Sequence, residues 1–164
     1  MSQPSTQVEI EDEYAWTFFG SNAEYYLKYW RLRQQGNSIS FNASAFFGGL
    51  FWFAYRRMYL ILFLIVVVAM LEGMLEDVVF RLPPSTGRTL LANLVFCSLY
   101  GFLGNSLYLW YAERRMRKIL HLGLPKEELL RRLRRAGGTS WSLLLVLLGV
   151  AALSIGAYYW LSHT

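Results

Sequence analysis

Residues 89–112 read TLLANLVFCSLYGFLGNSLYLWYA, 24 consecutive positions without a charge. As a helix rising about 1.5 Å per residue they extend roughly 36 Å, more than the about 30 Å of a bilayer's hydrocarbon core. A second run, Trp141 to Leu161, adds 21 uncharged residues; it begins on an aromatic residue and ends on Tyr158, Tyr159 and Trp160, the pattern of aromatic belts at two membrane interfaces. Both runs are expected to cross a membrane.

A third apolar stretch, Ile39 to Leu71, is interrupted by Arg56 and Arg57. One continuous helix would bury both guanidiniums, at about 2.5 to 3.5 kcal/mol each even on the gentlest insertion scale. The chain is therefore expected to change direction there. Phe41 to Tyr55 lies in the interface or re-enters from it, the arginines sit at the headgroups, and a span runs from Met58 to Leu75 with Glu72 near its far end. These assignments make an all-α integral membrane protein with three transmembrane helices, at about 58–75, 89–111 and 141–161, and a preceding aromatic interfacial or re-entrant segment.

Composition agrees with that assignment. Of 164 residues, 55% are hydrophobic, 17% aromatic and only 16% charged, with a mean hydropathy of +0.29. Disorder needs the opposite balance, and the length allows one domain. The net charge of +5 and pI near 9.5 could signal nucleic acid or an anionic membrane. The position of the charges favours the membrane. Three spans put Lys28, Arg31, Arg33, Arg56, Arg57 and nine basic residues between Arg114 and Arg135 on one side, and only Arg81 and Arg88 on the other. Fourteen against two places the N-terminus and the basic 112–140 loop in the cytoplasm and the C-terminus outside. Were Phe41 to Tyr55 a fourth span, the ratio would fall to eleven against five. Met1 to Glu13 carries four acids, no basic residue and no apolar core, so it is not expected to be a cleavable signal.

The chain divides into a polar acidic tail (1–13), a cytoplasmic or interfacial aromatic helical region (14–57) and the three-span domain (58–161). In the aromatic region Ser21 and Glu24 have capping-box spacing and predict a helix through Trp30 and Leu32, followed by a turn-rich link from Gln34 to Ser38. Pro83 to Gly87 reads as a tight outer turn. In the basic loop the second span is expected to continue to about Gly123. Pro125, first-turn Glu127 and Glu128, arginines in the last turn and Gly137 frame a further helix whose apolar face is Leu129, Leu130 and Leu133.

The run FNASAFFGGLFWFAYRRMY (41–59), together with Gly104 to Tyr108, Glu113 to Arg115 and Gly137 to Ser140, resembles a family of small bacterial inner-membrane proteins known only as a domain of unknown function, with an FNxxAFFxGxFWxxYRRMY-type motif. The resemblance runs over about residues 18–140. It departs from the family pattern at Ala43, where tryptophan is usual, and at Leu50, where proline is. It implies a multi-pass membrane protein and supplies no reaction, ligand or cofactor.

Candidate sites follow from spacing. Asn93, Cys97, Gly101 and Asn105 recur every four residues and so share one helix face. Ala152 and Gly156 on the third span form a small-xxx-small pair able to receive it. The stripe serves either close helix packing or the lining of a polar pathway. Glu72, Glu76 and Asp77 form an acidic group at the outer boundary, suited to pairing with Arg81 or Arg88, to holding a divalent cation or to acid and base work. The basic groups Arg56, Arg57, Arg114, Arg115, Arg117, Lys118, Arg131, Arg132, Arg134 and Arg135 are expected to set topology and meet lipid headgroups. One cysteine excludes an internal disulfide, and His121 and His163 fall on opposite sides of the membrane, so no catalytic set is discernible. The sequence thus points to a non-enzymatic structural, interaction or accessory component of the bacterial inner membrane. It acts as a homo-oligomer or beside a membrane-protein partner, without cofactor, metal or nucleic acid. The alternative is a small oligomeric transporter or channel subunit.

Overall fold

The computed structural model describes residues 10–36, 40–81, 83 and 85–162, and these form an all-helical protein with no strand among them. Seven α-helices follow in order: α1 (Asp12–Phe19), α2 (Ala23–Gln34), α3 (Ala43–Tyr55), α4 (Tyr59–Met74), α5 (Thr86–Leu120), α6 (Lys126–Ala136) and α7 (Trp141–Ser162). They group into two compact units. One comprises residues up to Phe41 and Phe102–Gly138, the other Asn42–Gly101 and Thr139 onward, so α5 contributes to both.

The first unit has an aromatic core. Ala15, Phe18 and Phe19 of α1 are spaced to fall on one helical face, as are Ala23, Tyr26, Leu27 and Trp30 of α2, and all seven are buried. They close on Tyr108 of α5, a helix on which Leu109, Ala112 and Met116 are also buried. The Tyr108 ring lies 4.6 Å from that of Tyr26 and 5.9 Å from that of Phe19. α6 adds Leu129 and Leu133 and presents Arg131, Arg132, Arg134 and Arg135 outward. Its ends match the sequence signals: Pro125 is the N-cap, Glu127 and Glu128 fill the first turn, Arg134 and Arg135 the last, and Gly137 is the C-cap. Acids at the start and bases at the end of a helix both oppose its dipole charges.

Two expectations for this unit are corrected. Asp12 and Glu13, placed in a polar tail, form the first turn of α1, where negative charge is favoured, and each holds a cation: Asp12 binds Arg31 at 2.6 Å and Glu13 binds Lys126 at 2.9 Å. The rest of the tail, residues 1–9, lies outside the described residues, as do residues 37–39 of the expected link. The Ser21 capping box does not form. A 3-10 turn at Gly20–Asn22 leads directly into α2, whose N-cap is Asn22 with no side-chain cap bond. The incoming turn already engages the Ala23 N–H through Gly20 O, leaving less for a capping side chain to satisfy.

The second unit is apolar on its outside. α4 buries none of its residues, and Leu60, Phe63, Leu64, Met70, Leu71 and Met74 are each more than half exposed. α3 is shorter than a bilayer is thick: 13 residues reach only about 20 Å. It is also broken at Gly49, whose φ of 49° and ψ of −131° are open to glycine at little cost. The residue after that break starts the second half-helix. Within Phe41 to Tyr55, residues Ala43–Tyr55 are thus a kinked apolar helix, too short at this length to pass for a membrane-crossing one.

Among the described residues one helix, α5, is long and apolar enough to cross a membrane. Ala43–Tyr55 and Tyr59–Met74 fall short, so the expectation of three spans is not met by length and composition. α4 ends at Met74 because the backbone widens into a π-helical turn, Leu75–Val79, which carries Glu76.

Candidate functional site

The residues singled out by sequence fall at joints where chain segments meet. The clearest is Asn105. It is 1% exposed, and its Nδ2 donates to the Tyr25 hydroxyl at 3.0 Å and to Ser40 Oγ at 2.9 Å. One amide on α5 thereby fastens both α2 and Ser40. In the second unit the Gly101 carbonyl, one turn earlier on the same stripe, accepts from the Asn42 N–H at 2.8 Å. Asn42 in turn caps α3, its Oδ1 accepting from the Ala45 N–H at 2.9 Å. Each unit thus has its own α5 contact of this kind, Asn105 with Ser40 in the first and Gly101 with Asn42 in the second.

The remainder of the stripe is looser. Cys97 is half-buried and Asn93 exposed, and the structure does not bring Ala152 or Gly156 onto it, both being exposed. α7 packs instead on α3, where the Tyr55 and Trp141 rings lie 5.0 Å apart.

A second joint lies on either side of Gly138. In the first unit Gly138 N–H donates to Phe18 O at 3.0 Å, and Gly137 sits so close to α1 that a Cβ there would stand 1.9 Å from the same oxygen. In the second unit the Ser140 N–H donates to Tyr55 O at 2.9 Å and Arg57 Nη2 donates to Thr139 O at 3.2 Å. Arg57 adopts a left-handed φ of 59° as the chain turns from α3 to α4, and Arg56 is buried beside it. The expected headgroup role of this pair therefore meets a local structural one: Arg57 ties the α3–α4 corner to the start of α7.

The acidic group divides. Glu76 forms an ion pair with Arg88 at 2.9 Å, as the pairing alternative expects, and Arg88 also donates to Pro83 O at 3.0 Å. Glu72 is half-buried in a shallow groove with Val68, Leu71, Leu75 and Phe80. The side chain of Asp77 lies outside the described set, and among the described residues no three His, Cys, Asp or Glu side chains come together as a metal site.

Of the basic group, Arg117 binds Glu113 at 2.9 Å and Arg132 binds Glu128 at 2.9 Å, each one helical turn apart. Arg33 approaches Glu113 at 3.7 Å. Arg114 stacks on Trp110 with its guanidinium carbon 4.4 Å from the ring centroid, and Arg115 on Tyr111 at 5.3 Å. Lys126 is held above its ordinary pKa of 10.5 by its hydrogen bond to Glu13 and by that carboxylate's charge.

The joints coincide with the motifs that carry the family resemblance: the Asn42 cap and Arg57 corner, Asn105, and the Gly137–Ser140 turn. A family profile described as a protein of unknown function, DUF2628, matches residues 16–114. The chain belongs to the DUF2628 family. The match begins in α1 and ends on α5, so it takes in the Asn42, Arg57 and Asn105 joints of the DUF2628 chain and stops before Gly137. No curated protein and no solved structure matches the chain.

Sequence reasoning found Asn105, Gly101 and the glycine turn, but not their partners. Tyr25 and Ser40 lie 80 and 65 residues from Asn105 along the chain.

Proposed function

We propose that this DUF2628 protein is a multi-pass component of the bacterial inner membrane that works without catalysis, as a structural or accessory subunit. The supporting observation is α4, which buries nothing and offers bare leucine, phenylalanine, methionine and valine along its whole length. Contiguous apolar surface of that extent is stable only against lipid or another protein. In this reading α5 crosses between the Arg88–Glu76 pair and Glu113. Leu90 to Leu109 gives 20 residues, about 30 Å, which fits the hydrocarbon core. α4 with its π-turn supplies 21 residues and α7 supplies 22, enough for two further spans with modest tilt. The basic excess then sets the N-terminus in the cytoplasm and the C-terminus outside.

The polar side chains support a structural role. Asn105, Asn42, Arg57 and the Glu76–Arg88 pair all hold chain segments together. The remaining apolar face is the surface for a second copy or a partner subunit. Chemical cross-linking in native membranes followed by mass measurement in nanodiscs tests this: a defined oligomer or a stoichiometric partner is expected, and a lone monomer contradicts it.

A second reading, an oligomeric transporter or channel subunit, draws on Asn93, exposed on α5, and on Glu72, half-buried on the apolar face of α4. Polar groups placed this way line pathways when copies assemble. Solute flux into vesicles that disappears in Glu72→Gln favours it, and absence of flux dismisses it.

A further inference from the structure

We propose that Trp110, Arg114 and Lys118 form a binding strip for the phosphate of an anionic phospholipid, on the side of α5 that faces away from the first unit's core. The inference rests on the membrane reading above and assigns the lipid contact to particular side chains.

Helix geometry defines the strip. Tyr108, Leu109, Ala112 and Met116 are buried, Tyr108 against Phe19 of α1 and Tyr26 of α2, and at 100° per residue the opposite side of α5 carries Leu103, Trp110, Arg114 and Lys118. All four are exposed. Along that line the chemistry changes in one direction, from aliphatic at Leu103 to aromatic at Trp110 to cationic at Arg114 and Lys118. A bilayer changes in the same order, from hydrocarbon to the interfacial zone favoured by tryptophan to the phosphates. The distances also agree. Arg114 lies about 6 Å beyond Trp110 along the axis and Lys118 about 12 Å beyond, within reach of a long side chain that bends back towards the headgroups.

The charges on this strip are uncommitted. Glu113, the nearest acid in sequence, is engaged by Arg117 at 2.9 Å and Arg33 at 3.7 Å. Among the described residues neither Arg114 nor Lys118 has an acidic partner. The contact Arg114 does make, with its guanidinium carbon 4.4 Å from the Trp110 ring centroid, is with an aromatic ring, and a guanidinium carries an edge of paired N–H donors. That edge is the geometry that recognises phosphate oxygens in pairs. Arg131, Arg132, Arg134 and Arg135 on α6 carry more charge, but no aliphatic and aromatic run leads to them along their helix.

The full chain, purified in a neutral detergent, is titrated with phosphatidylglycerol and separately with phosphatidylcholine, and bound lipid is counted by native mass spectrometry. Wild type is expected to prefer phosphatidylglycerol at least tenfold. Arg114→Gln with Lys118→Gln should weaken that lipid about thirtyfold and each single change about fivefold, at the usual strength of a basic residue near an anionic surface, with phosphatidylcholine unaffected. Arg114→Lys should retain part of the binding and lose selectivity. Arg131→Gln with Arg134→Gln removes the same charge and is expected to change nothing beyond threefold. Equal losses from the two double variants mean a response to net charge and overturn the strip, as does an unchanged Arg114/Lys118 variant. Release of the wild-type chain from membranes by alkaline wash without detergent would instead refute the membrane reading itself.

Discussion

Replacing Gly137 by alanine probes the joint between α6 and α1 with a single methyl group. The backbone at 137 has φ −85°, so alanine suffers no conformational penalty there and the effect is one of space. The added Cβ would stand 1.9 Å from Phe18 O, 2.7 Å from Phe18 C and 2.9 Å from its Cγ, whereas real Cβ atoms essentially never approach closer than 3.0 Å. Two of the three atoms are backbone, so no side-chain rotation relieves the clash, and the end of α6 must retreat by more than about 1 Å. That retreat breaks the Gly138 N–H to Phe18 O bond, worth about 1 kcal/mol, and loosens the packing of Phe18, in the range of about 1 to 3 kcal/mol for an overfilled core. The total, about 2 to 4 kcal/mol, corresponds to a melting shift of order 10 °C for a chain of this size. Gly138→Ala is the control. Its site has open space but φ +70°, so only backbone strain of about 1 to 2 kcal/mol applies. Tryptophan fluorescence melts of both variants in detergent measure the difference. A Gly137→Ala protein that melts within a degree or two of wild type, or above Gly138→Ala, refutes the account of the joint.

Asn105→Leu removes two hydrogen bonds from a buried site and should cost about 1 to 3 kcal/mol in denaturant titration, whereas Asn93→Leu, at an exposed position of the same stripe, should cost less than about 0.5 kcal/mol. Asn42→Ala deletes the α3 cap and is expected to cost about 1 kcal/mol, visible as faster amide hydrogen exchange over residues 43–48. The Lys126–Glu13 pair gives an alkaline signature. Because the folded-state pKa of Lys126 is raised, the contribution of the pair is fully present below the unfolded value of 10.5 and is lost as pH rises through the folded one. Lys126→Gln should flatten that alkaline fall in melting temperature.

The elements with strong local signals were legible in the sequence. α6 was bounded to within a residue by Pro125 and Gly137, and α5 by the run of uncharged residues and the charged turns that follow. α1 was hidden because Asp12 and Glu13 continue an acidic segment, yet Ala15, Phe18 and Phe19 have helical spacing, and first-turn acids are themselves a helix signal. The path of residues 41–55 could not be fixed by periodicity, since an aromatic run that is apolar on every side has no preferred face. The structure adds a kink at Gly49 that the run of apolar residues did not mark. For the site, a repeat of four exposed the Asn105 face, but what that face holds is a tertiary fact. Tyr25 and Ser40 reach it through folding of the first unit, and nothing in their own neighbourhoods marks them as its partners. Arg57 illustrates the same limit. Its charge suggested lipid, while its hydrogen bond to Thr139 spans 82 residues of sequence.

Cysteine accessibility tests the proposed membrane arrangement most directly. With Cys97→Ser as background, single cysteines at Ser85, Leu122 and Trp160 are exposed to a membrane-impermeant maleimide in intact cells stripped of their outer membrane. Three spans with a cytoplasmic N-terminus predict labelling at 85 and 160 and protection of 122 until the cells are lysed. Labelling of 122 in intact cells, or of all three only after lysis, contradicts it.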